Sequence, residues 1–424
     1  MLVKNGNSLL MDFADSEFHK AVHQINNNVW HLVSWGHSNA TVIEGNTSLI
    51  LIDTLDSDQR ARRMREYFEQ KLKKPFKTII YTHGHPDHRG GSGAFRDCNA
   101  EIIAFAPERP AMEHYDKLSD ILSKRTVRQF GYKLTESELL WQGVGIREGH
   151  ASQDGRYDFL APTTVYKEKI VKRIIDGVEL HLQASPGECE DGLFVWLAQD
   201  KIVCCGDSYY GCWPNLYAIR GSQYRDIALW ISSLKEIKKL NADVLLAGHT
   251  QPVIGNKRVF STLENYIGAI ESILIQTLYC MNKGMSESET VETVRLPEKY
   301  SSLSYLGEFY GTVQWSVRAI YNGYLGWFDG NPTNLNRLSD KEYCSELIEL
   351  IEIPKIKSRI EKALEDKRYQ LVLQLCDLML NAYTDTDFAL KMKQKALLEI
   401  AELETSANGR HYYIACAKEM NSNK

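Results

Sequence analysis

The chain has 424 residues, of which 43% are hydrophobic and 25% charged, and its formal net charge is -5. This length exceeds what one hydrophobic core supports and predicts two or three domains, and the composition is that of an ordinary globular protein. Because no segment concentrates lysine and arginine, the charge argues against a nucleic-acid partner. We expect a small molecule or a second copy of the chain instead.

The amino terminus and the cysteines favour a cytoplasmic protein without a membrane partner. Residues 1–7 lack the apolar stretch of a signal peptide, and no run approaches a membrane span. The nine cysteines are an odd number with no CxxC pair, which predicts reduced thiols rather than a disulfide framework.

The first predicted elements are three strands of a meander followed by an amphipathic helix. The strands are expected over residues 29–35, 41–44 and 48–53, and the helix over residues 57–74. Gly45-Asn46 between the second and third strands is a strong hairpin signal. Asp53, at the end of the third strand, has two interpretations: a carboxylate beside a metal site, or a cap of the following helix.

The stretch THGHPDH at residues 82–88 follows an apolar run that predicts a buried strand. Its candidate ligands are His83, His85, Asp87 and His88. At this spacing they cannot all face one way on a helix or a strand, so we expect an irregular loop that folds them around metal ions. Imidazoles with one carboxylate suit Zn²⁺, and also Fe or Mn. A polar surface turn is the weaker alternative.

The region from about residue 107 to residue 155 has a weak pattern, with one helix and a long loop. Long loops in compact domains are often functional, so this region is a candidate wall of a substrate pocket. It contains His114 and His150, for which we prefer a solvated or hydrogen-bonded role over metal binding.

Three acidic or histidine residues follow later strands. Strands are expected over residues 163–165, 169–174, 178–184, 193–197 and 202–205. Glu188 follows the third of these after a tight turn, Asp207 follows the last, and His249 ends a further apolar strand from residue 243. Each alone is a weak signal. Together with the four residues of the loop they make seven candidate ligands, about the number that two ions need.

With these residues assembled, the chain resembles the metallo-β-lactamase superfamily over roughly residues 25–256, because HxHxDH matches His83 to His88. Most members have a histidine where this chain has Glu188, and a glutamate there is typical of the alkyl sulfatase branch. Two further stretches resemble that branch: PNLYAIRG at residues 214–221, and an aromatic segment from Tyr310 that ends in DGNP at residue 332.

The resemblance implies an α+β fold with an αββα metallo-β-lactamase sandwich, followed by an all-α helical dimerisation domain. We expect the catalytic domain over residues 1–258 and the helical domain over residues 259–424, in a homodimer. The tail of the second domain has a repeat-like row of predicted helices. They are expected over residues 344–351, 356–364, 369–380, 388–403 and 412–420.

The resemblance also implies roles for single residues in a cytosolic hydrolase with two Zn²⁺ per chain. One ion would be held by His83, His85 and Glu188 and the other by Asp87, His88 and His249, with Asp207 between them. Asp87 would also be catalytic. Arg220 would bind the sulfate of an alkyl ester, with Asn215 nearby and either Tyr321 or Tyr324. The residue pattern does not say whether the C–O or the S–O bond breaks.

Many relatives carry a signal peptide and a further carboxyl-terminal domain similar to sterol carrier proteins, and we expect neither here. Without that apolar domain, long-chain, detergent-like substrates are in doubt. Other hydrolases on the same site are the first alternative: a lactonase, a thioesterase or a phosphodiesterase. An iron-containing redox protein is the second, although no Gly-rich nucleotide motif for a flavin partner follows a strand. A non-catalytic helical scaffold is the third.

Overall fold

Apolar residues with strand periodicity dominate residues 21–254, and in the computed structural model they pair into two β-sheets. The model describes residues 6–422, so the expectation about the amino terminus lies largely outside the described residues. The strands are β1 (Ala21–Gln24), β2 (Val29–Val33), β3 (Ala40–Glu44), β4 (Leu49–Ile52), β5 (Phe76–Ile80), β6 (Glu101–Phe105), β7 (Thr164–Tyr166), β8 (Ile170–Ile175), β9 (Val178–Ala184), β10 (Leu193–Leu197), β11 (Ile202–Gly206), β12 (Val244–Ala247) and β13 (Val253–Ile254).

The first sheet contains β1 to β7 in sequence order, and the second has the order β13-β12-β11-β10-β9-β8. In the first sheet β4, β5, β6 and β7 run parallel to one another, and in the second β11 and β12 are parallel. Because parallel strands end at the same edge of a sheet, the loops after β5, β11 and β12 are available to build a common site.

The helices, like the strands, lie within residues 6–422. They are α1 (Gly6–Glu17), α2 (Asp58–Leu72), α3 (Pro86–Arg89), α4 (Ser119–Gln129), α5 (Glu136–Leu139), α6 (Ile227–Lys239), α7 (Asn256–Asn282), α8 (Glu287–Thr293), α9 (Glu298–Ser301), α10 (Val313–Leu325), α11 (Asp340–Leu350), α12 (Ile353–Glu365), α13 (Tyr369–Asn381), α14 (Thr386–Leu403) and α15 (Ala407–Ser422).

Two apolar layers stabilise the sandwich. Between the sheets, side chains such as Ile50, Ile80 and Leu182 form one fully buried cluster. On the outer face of the first sheet, α2 buries Met64 and Phe68, which are four residues apart and so share one face of the helix. Each such side chain contributes about 1.5–3 kcal/mol to folding when it is fully buried. The predicted αββα sandwich is confirmed.

The chain divides into two compact units. One contains Asp12–Ser119 and Trp141–Tyr324, which include both sheets, α2, α3 and α6 to α9. The other contains the described residues up to Met11, Asp120–Leu140 and the described residues from Leu325 onward. The domain boundary at residue 258, which falls in the first turn of α7, stays a prediction.

The second unit has its own apolar core, formed mainly by α12, α13 and α14. Within it His411 of α15 is fully buried, and its ring nitrogens lie 3.1 Å from Gln129 O and 2.9 Å from Leu139 O. This buried histidine connects α15 to the segment around α4 and α5. The predicted row of tail helices is therefore present as α11 to α15.

Several elements differ from the expectations. The leader contains α1 and β1, which the sequence analysis did not predict, and a short 3₁₀ segment over Ser92–Cys98 follows α3. All nine cysteines are free thiols. Within residues 6–422, no helix is both long enough and apolar enough to cross a lipid bilayer.

Candidate metal centre

The loop after β5 places four candidate ligands within six residues. Its second part is α3, a single turn that starts at Pro86, so Asp87 and His88 lie on a short helix. The expectation of an irregular loop throughout was wrong in this respect. The cause is Pro86, whose fixed φ suits the first position of a helix.

Three residues, His83, His85 and Glu188, form what we call the first half of the site. His83 Nε2 lies 3.0 Å from His85 Nδ1. Glu188 Oε2 lies 3.9 Å from the first of these nitrogens and 3.7 Å from the second. Glu188 comes from the turn after β9, so one ligand atom from each of three residues faces the same small volume.

Three further residues, Asp87, His88 and His249, form the second half. Asp87 Oδ2 lies 3.3 Å from His88 Nε2 and 3.5 Å from His249 Nε2. His249 follows β12, so the position of its side chain at the site depends on the parallel pairing of β12 with β11.

Asp207 lies next to both halves. Its Oδ1 is 3.2 Å from His88 Nε2, and its Oδ2 is 3.2 Å from His249 Nε2. A carboxylate oxygen of Asp207 and ring nitrogens of His83 and His88 also lie within 4.8 Å of one another. The structure therefore brings together all seven residues that the sequence indicated as ligands.

The backbone leaves just enough room for this carboxylate. A Cβ added to Gly248 would lie 2.1 Å from Asp207 Oδ1 and 2.7 Å from His88 Cε1. Only glycine avoids these clashes, because the backbone must approach the two side chains closely.

Asp53 contacts two residues of the loop that carries the candidate ligands. Its Oδ1 accepts a hydrogen bond from the backbone N–H of Thr82 at 2.8 Å, and its Oδ2 lies 2.8 Å from His88 Nδ1. Ser57, rather than Asp53, occupies the N-cap position of α2. Of the two interpretations left open by the sequence, the structure therefore favours a carboxylate that orients a ligand histidine, a common partner of metal-binding imidazoles.

Two other histidines have their second ring nitrogen engaged as well. His249 Nδ1 lies 3.1 Å from the carbonyl oxygen of His37, and His85 Nε2 lies 3.3 Å from Cys189 Sγ. Such contacts leave His249 Nε2 and His85 Nδ1 as the nitrogens that face the centre. Cys189 was not predicted to have a role, because one thiol beside a glutamate has no motif of its own.

The pKa values in the first half reflect burial. Burial lowers the pKa of His83, and it lowers the pKa of His85 well below its usual value, where neighbouring His83 adds to the effect. Burial also raises the pKa of Glu188 to about 8, against the opposing charge of Arg225. The imidazoles of this half are therefore neutral.

In the second half, mutual attraction outweighs burial. Burial alone would raise the pKa of Asp87 and Asp207, but the neighbouring histidines hold both values below the usual range. Burial alone would lower the pKa of His88 and His249, but the same carboxylates raise both. Two ionised carboxylates thus give this half a strong attraction for positive charge.

The residues fit metal ions. Three buried atoms at the centre have no hydrogen-bond partner among residues 6–422: His88 Nε2, Glu188 Oε2 and Asp207 Oδ1. Leaving a buried polar atom unpaired costs about 1–3 kcal/mol, so three at one place indicate a missing partner. Imidazole nitrogens and carboxylate oxygens are zinc ligands. The 3.0 Å between His83 Nε2 and His85 Nδ1 is close to the separation of two ligands of one ion.

Arg225 is a site residue that the sequence analysis did not select. It is 5% exposed, and its Nη1 donates to Glu188 Oε1 at 2.8 Å and to the carbonyl oxygen of Asn215 at 2.5 Å. A buried arginine is rare unless it is paired. Its position four residues after the matching stretch at residues 214–221 was the available signal.

Arg220 lies next to the first half and is half-buried. Its Nη1 donates to the carbonyl oxygen of Gly221 at 3.1 Å. Its charge contributes to the lowered pKa of His85 and opposes the effect of burial on the pKa of Tyr310. Arg220 is therefore within electrostatic reach of the candidate ligands, although Arg225 is the arginine that touches one.

Asn215 is 2% exposed, and its Oδ1 has no hydrogen-bond partner within the described part of the chain. Gly311 packs directly on it, since a Cβ there would lie 3.1 Å from Asn215 Cα and 2.1 Å from Pro214 O. The two stretches that resemble the alkyl sulfatase branch therefore meet in space.

Tyr321 and Tyr324 are placed away from the candidate ligands. The Tyr321 hydroxyl lies 3.0 Å from Thr290 Oγ1 and also donates to the carbonyl oxygen of Met285. The Tyr324 side chain is 48% exposed and lies beside Tyr224. Within residues 6–422 no hydrogen bond or ring contact joins either tyrosine to the seven ligands. Their role in sulfate binding stays a prediction.

Tyr310, from the same aromatic segment, lies closer to the candidate ligands than Tyr321 and Tyr324 do. Its ring is 5.8 Å from that of Tyr210, which stacks on His249 at 6.0 Å and 11°. Burial raises the pKa of Tyr310 well above its usual value, and the charge of Glu188 adds to this. A protonated hydroxyl is thus held near the centre.

The two histidines of the long loop differ from each other in exposure: His114 is exposed, and the ring of His150 lies against that of Tyr157.

Comparison with known proteins covers most of the chain. The family model of the metallo-beta-lactamase superfamily matches residues 33–249, and that of alkyl sulfatase dimerisation matches residues 286–423. A linear primary-alkylsulfatase of Pseudomonas sp. (strain ATCC 19151) is 30% identical over 389 residues, which are 89% of this chain and 73% of the relative.

The alkyl/aryl-sulfatase BDS1 of Saccharomyces cerevisiae is also 30% identical, over 411 residues that are 94% of this chain and 63% of the yeast protein. The chain thus spans less than two thirds of that relative's length. Among solved structures, the sec-alkylsulfatase Pisa1 from Pseudomonas sp. superposes with a TM-score of 0.86 and 23% identity, covering 99% of this chain and 70% of Pisa1. This likeness supports the fold.

Proposed function

This chain belongs to the metallo-beta-lactamase superfamily and is related along most of its length to alkylsulfatases, and from that premise we propose that it hydrolyses the sulfate ester of an alkyl alcohol at two zinc ions. The relationship supports a hydrolase that acts on sulfate esters. The observation that supports the finer proposal is that seven side chains able to bind metal ions meet at one place. Three of their buried atoms have no hydrogen-bond partner within residues 6–422.

In this proposal each half of the site holds one ion, and Asp207 contributes to both. When bound, the ions would supply the positive charge that acidifies a water molecule and stabilises negative charge on the sulfate. Zinc suits the mixture of imidazoles and carboxylates, and iron or manganese would also be accepted by these ligands.

The protein's own side chains orient and hold the reacting groups. Asp53 and the carbonyl oxygen of His37 fix the orientation of two ligand histidines. Asp87, with its pKa held low, stays ionised as a ligand and is proposed to accept a hydrogen bond that orients the attacking water. Arg225 stabilises the carboxylate form of Glu188 by direct contact.

The sulfate is proposed to bind at Arg220, with Asn215 close by. A guanidinium is a planar donor whose fork matches two oxygens of a tetrahedral anion. Asn215 is buried, and of its two amide atoms only the nitrogen can donate a hydrogen bond to a sulfate oxygen. The dimerisation model over residues 286–423 supports a homodimer as the functional form.

The first test is metal content together with sulfate release. We expect two zinc ions per chain in the purified full-length protein, and sulfate release from a series of alkyl sulfates of increasing length. Fewer than one metal per chain, or no sulfate release by metal-loaded protein, would contradict the proposal. Greater activity on lactones, thioesters or phosphodiesters would favour another hydrolase. Iron with a visible absorbance would favour a redox protein.

Arg220→Lys tests the sulfate site. Lysine keeps the charge but not the two parallel donors, so we expect kcat/KM for an alkyl sulfate to fall by roughly 10- to 100-fold, the equivalent of one charged hydrogen bond. Arg109→Lys is the matched control, since Arg109 is 49% exposed and pairs with Glu190. Equal losses in both variants would remove Arg220 from substrate binding.

A further inference from the structure

His37 lies beside the second half of the site but belongs to none of the expected ligand sets. It sits in the turn between β2 and β3 and is 3% exposed. One ring nitrogen lies within 4.8 Å of ligand atoms of Asp87 and His249. The rings of His37 and His249 are 5.4 Å apart between centroids, at 69° to each other.

The other contacts of His37 decide which ring nitrogen faces the centre. His37 Nδ1 lies 2.8 Å from the carbonyl oxygen of Ile146, a contact in which only the nitrogen can donate. Nδ1 therefore carries the hydrogen, and Nε2 carries the lone pair that a metal ion requires.

The backbone of His37 is fixed on both sides of this ring. Its N–H donates to Asp56 Oδ1 at 2.8 Å, and its carbonyl oxygen accepts from His249 Nδ1 at 3.1 Å. Gly145 packs so closely that a Cβ there would lie 2.1 Å from the same carbonyl oxygen. The imidazole is thus held in place by both the protein core and the long loop, as a ligand of a metal centre needs to be.

His31 shows what a purely structural histidine looks like in the same sheet. It is 2% exposed, its Nδ1 lies 2.9 Å from Thr41 Oγ1, and its Nε2 lies 3.2 Å from Asn39 Nδ2. Neutral side chains thus contact both of its nitrogens. His37 differs because it stands next to a carboxylate and an imidazole that are themselves candidate ligands.

We propose that His37 is a fifth imidazole of the metal centre and binds, through Nε2, the ion held by Asp87 and His249. This rests on the proposed function, because it assumes that the second half holds an ion. With His37 added, that ion would have more protein ligands than the first-half ion, so solvent and substrate would bind at the first half, close to the proposed sulfate site at Arg220. The second half also becomes richer in imidazole, which favours zinc, iron, copper or nickel over magnesium or calcium.

The test is the proton NMR spectrum of the full-length protein with Co²⁺ in both halves, recorded in H₂O and in D₂O. A histidine that binds Co²⁺ through one ring nitrogen keeps a hydrogen on the other, and this hydrogen gives a strongly shifted signal that disappears in D₂O. We expect five such signals from the wild-type protein. They belong to His37, His83, His85, His88 and His249.

His37→Asn is the matched variant, because its amide can still donate to Ile146 O but has no nitrogen in the place of Nε2. We expect one signal fewer and at least about 10-fold weaker binding of one Co²⁺, the lower end of what changes around metal ligands cause. His181→Asn is the control, since His181 pairs with Glu179 on β9 and should leave every signal in place.

Four signals from the wild-type protein with two Co²⁺ bound would overturn the role of His37 and leave the proposed function standing. So would an unchanged number of signals in His37→Asn. A wild-type protein that takes up no Co²⁺ and releases no sulfate would overturn both. Because the wild-type spectrum alone decides between four and five signals, the test does not depend on the folding of a variant.

Discussion

The two halves of the site use similar ligands in opposite electrostatic settings. In the first half the imidazoles are neutral, the pKa of Glu188 is raised to about 8, and Arg225 already supplies a positive charge. In the second half two carboxylates are ionised and raise the pKa of the histidines around them. A cation in the second half displaces protons from His88 and His249 and then faces two ionised carboxylates, whereas one in the first half competes with an arginine and with the proton of Glu188. We expect the second half to bind its ion more tightly.

Asp207→Asn removes the residue that the halves share, so it is expected to have the largest effect. Losing its charge weakens the attraction for both ions. We expect a loss in affinity for each beyond the roughly 100-fold that changes to outer partners of metal ligands cause, with loss of sulfate release. Metal content by elemental analysis and sulfate release measure this. Asp200→Asn, at an exposed site near Asn26, is the control. Retention of two ions would show that Asp207 is not shared.

Arg225→Met acts on the first half. The guanidinium and the Glu188 carboxylate are 5% and 7% exposed, and removing one partner of a buried ion pair costs about 3–5 kcal/mol. We expect a drop in unfolding free energy of that size, measured by urea denaturation with a chelator present at about pH 9, where the Glu188 carboxyl is ionised. Arg109→Met, which breaks an exposed pair with Glu190, should cost less than about 1 kcal/mol.

The same experiment has a pH dependence with a definite sign. The pKa of Glu188 in the folded protein is raised above its ordinary value of 4.5, so between that value and about 8 the folded state binds more protons than the unfolded state. The contribution of Glu188 to stability is therefore complete below pH 4.5 and is lost as the pH rises towards 8. A variant whose stability loss is the same at pH 5 and pH 9 would show that Arg225 does not act through Glu188.

Asp53→Asn acts mainly on the second half, with the smallest expected effect. The amide keeps the shape but loses the charge that orients His88 Nδ1, and changes of this kind typically weaken metal binding by about 10- to 100-fold. Competition with a chelator of known affinity should resolve two binding steps. We expect only the tighter step to shift. An equal shift of both would mean that Asp53 supports the whole loop and not one half.

Much of the fold and the ligand set could be predicted from the sequence, because each rests on a local signal. The strands carry continuous apolar runs, and Asp207 and His249 are polar residues that end such runs. Seven ligands could be gathered without coordinates because each lies in the HxHxDH stretch or just after an apolar strand, where α/β proteins commonly build their sites.

The residues that were missed depend on contacts between distant segments. His37 meets Ile146 and His249, Cys189 meets His85, and Arg225 meets Glu188. None has a spacing or a neighbouring residue that marks it. Likewise, α1 was overlooked because its apolar residues lie between polar ones in a leader without strong periodicity.

The wide sequence separation of the ligands has a consequence for the order of events during folding. They are contributed by the ends of β5, β9, β11 and β12, from residue 83 to residue 249, and by both sheets. Closing such long loops is slow, and contacts distant in sequence form late. High-affinity metal uptake can then begin only after the two sheets have met. In a refolding experiment, metal capture would mark the completion of the sandwich and would not nucleate it.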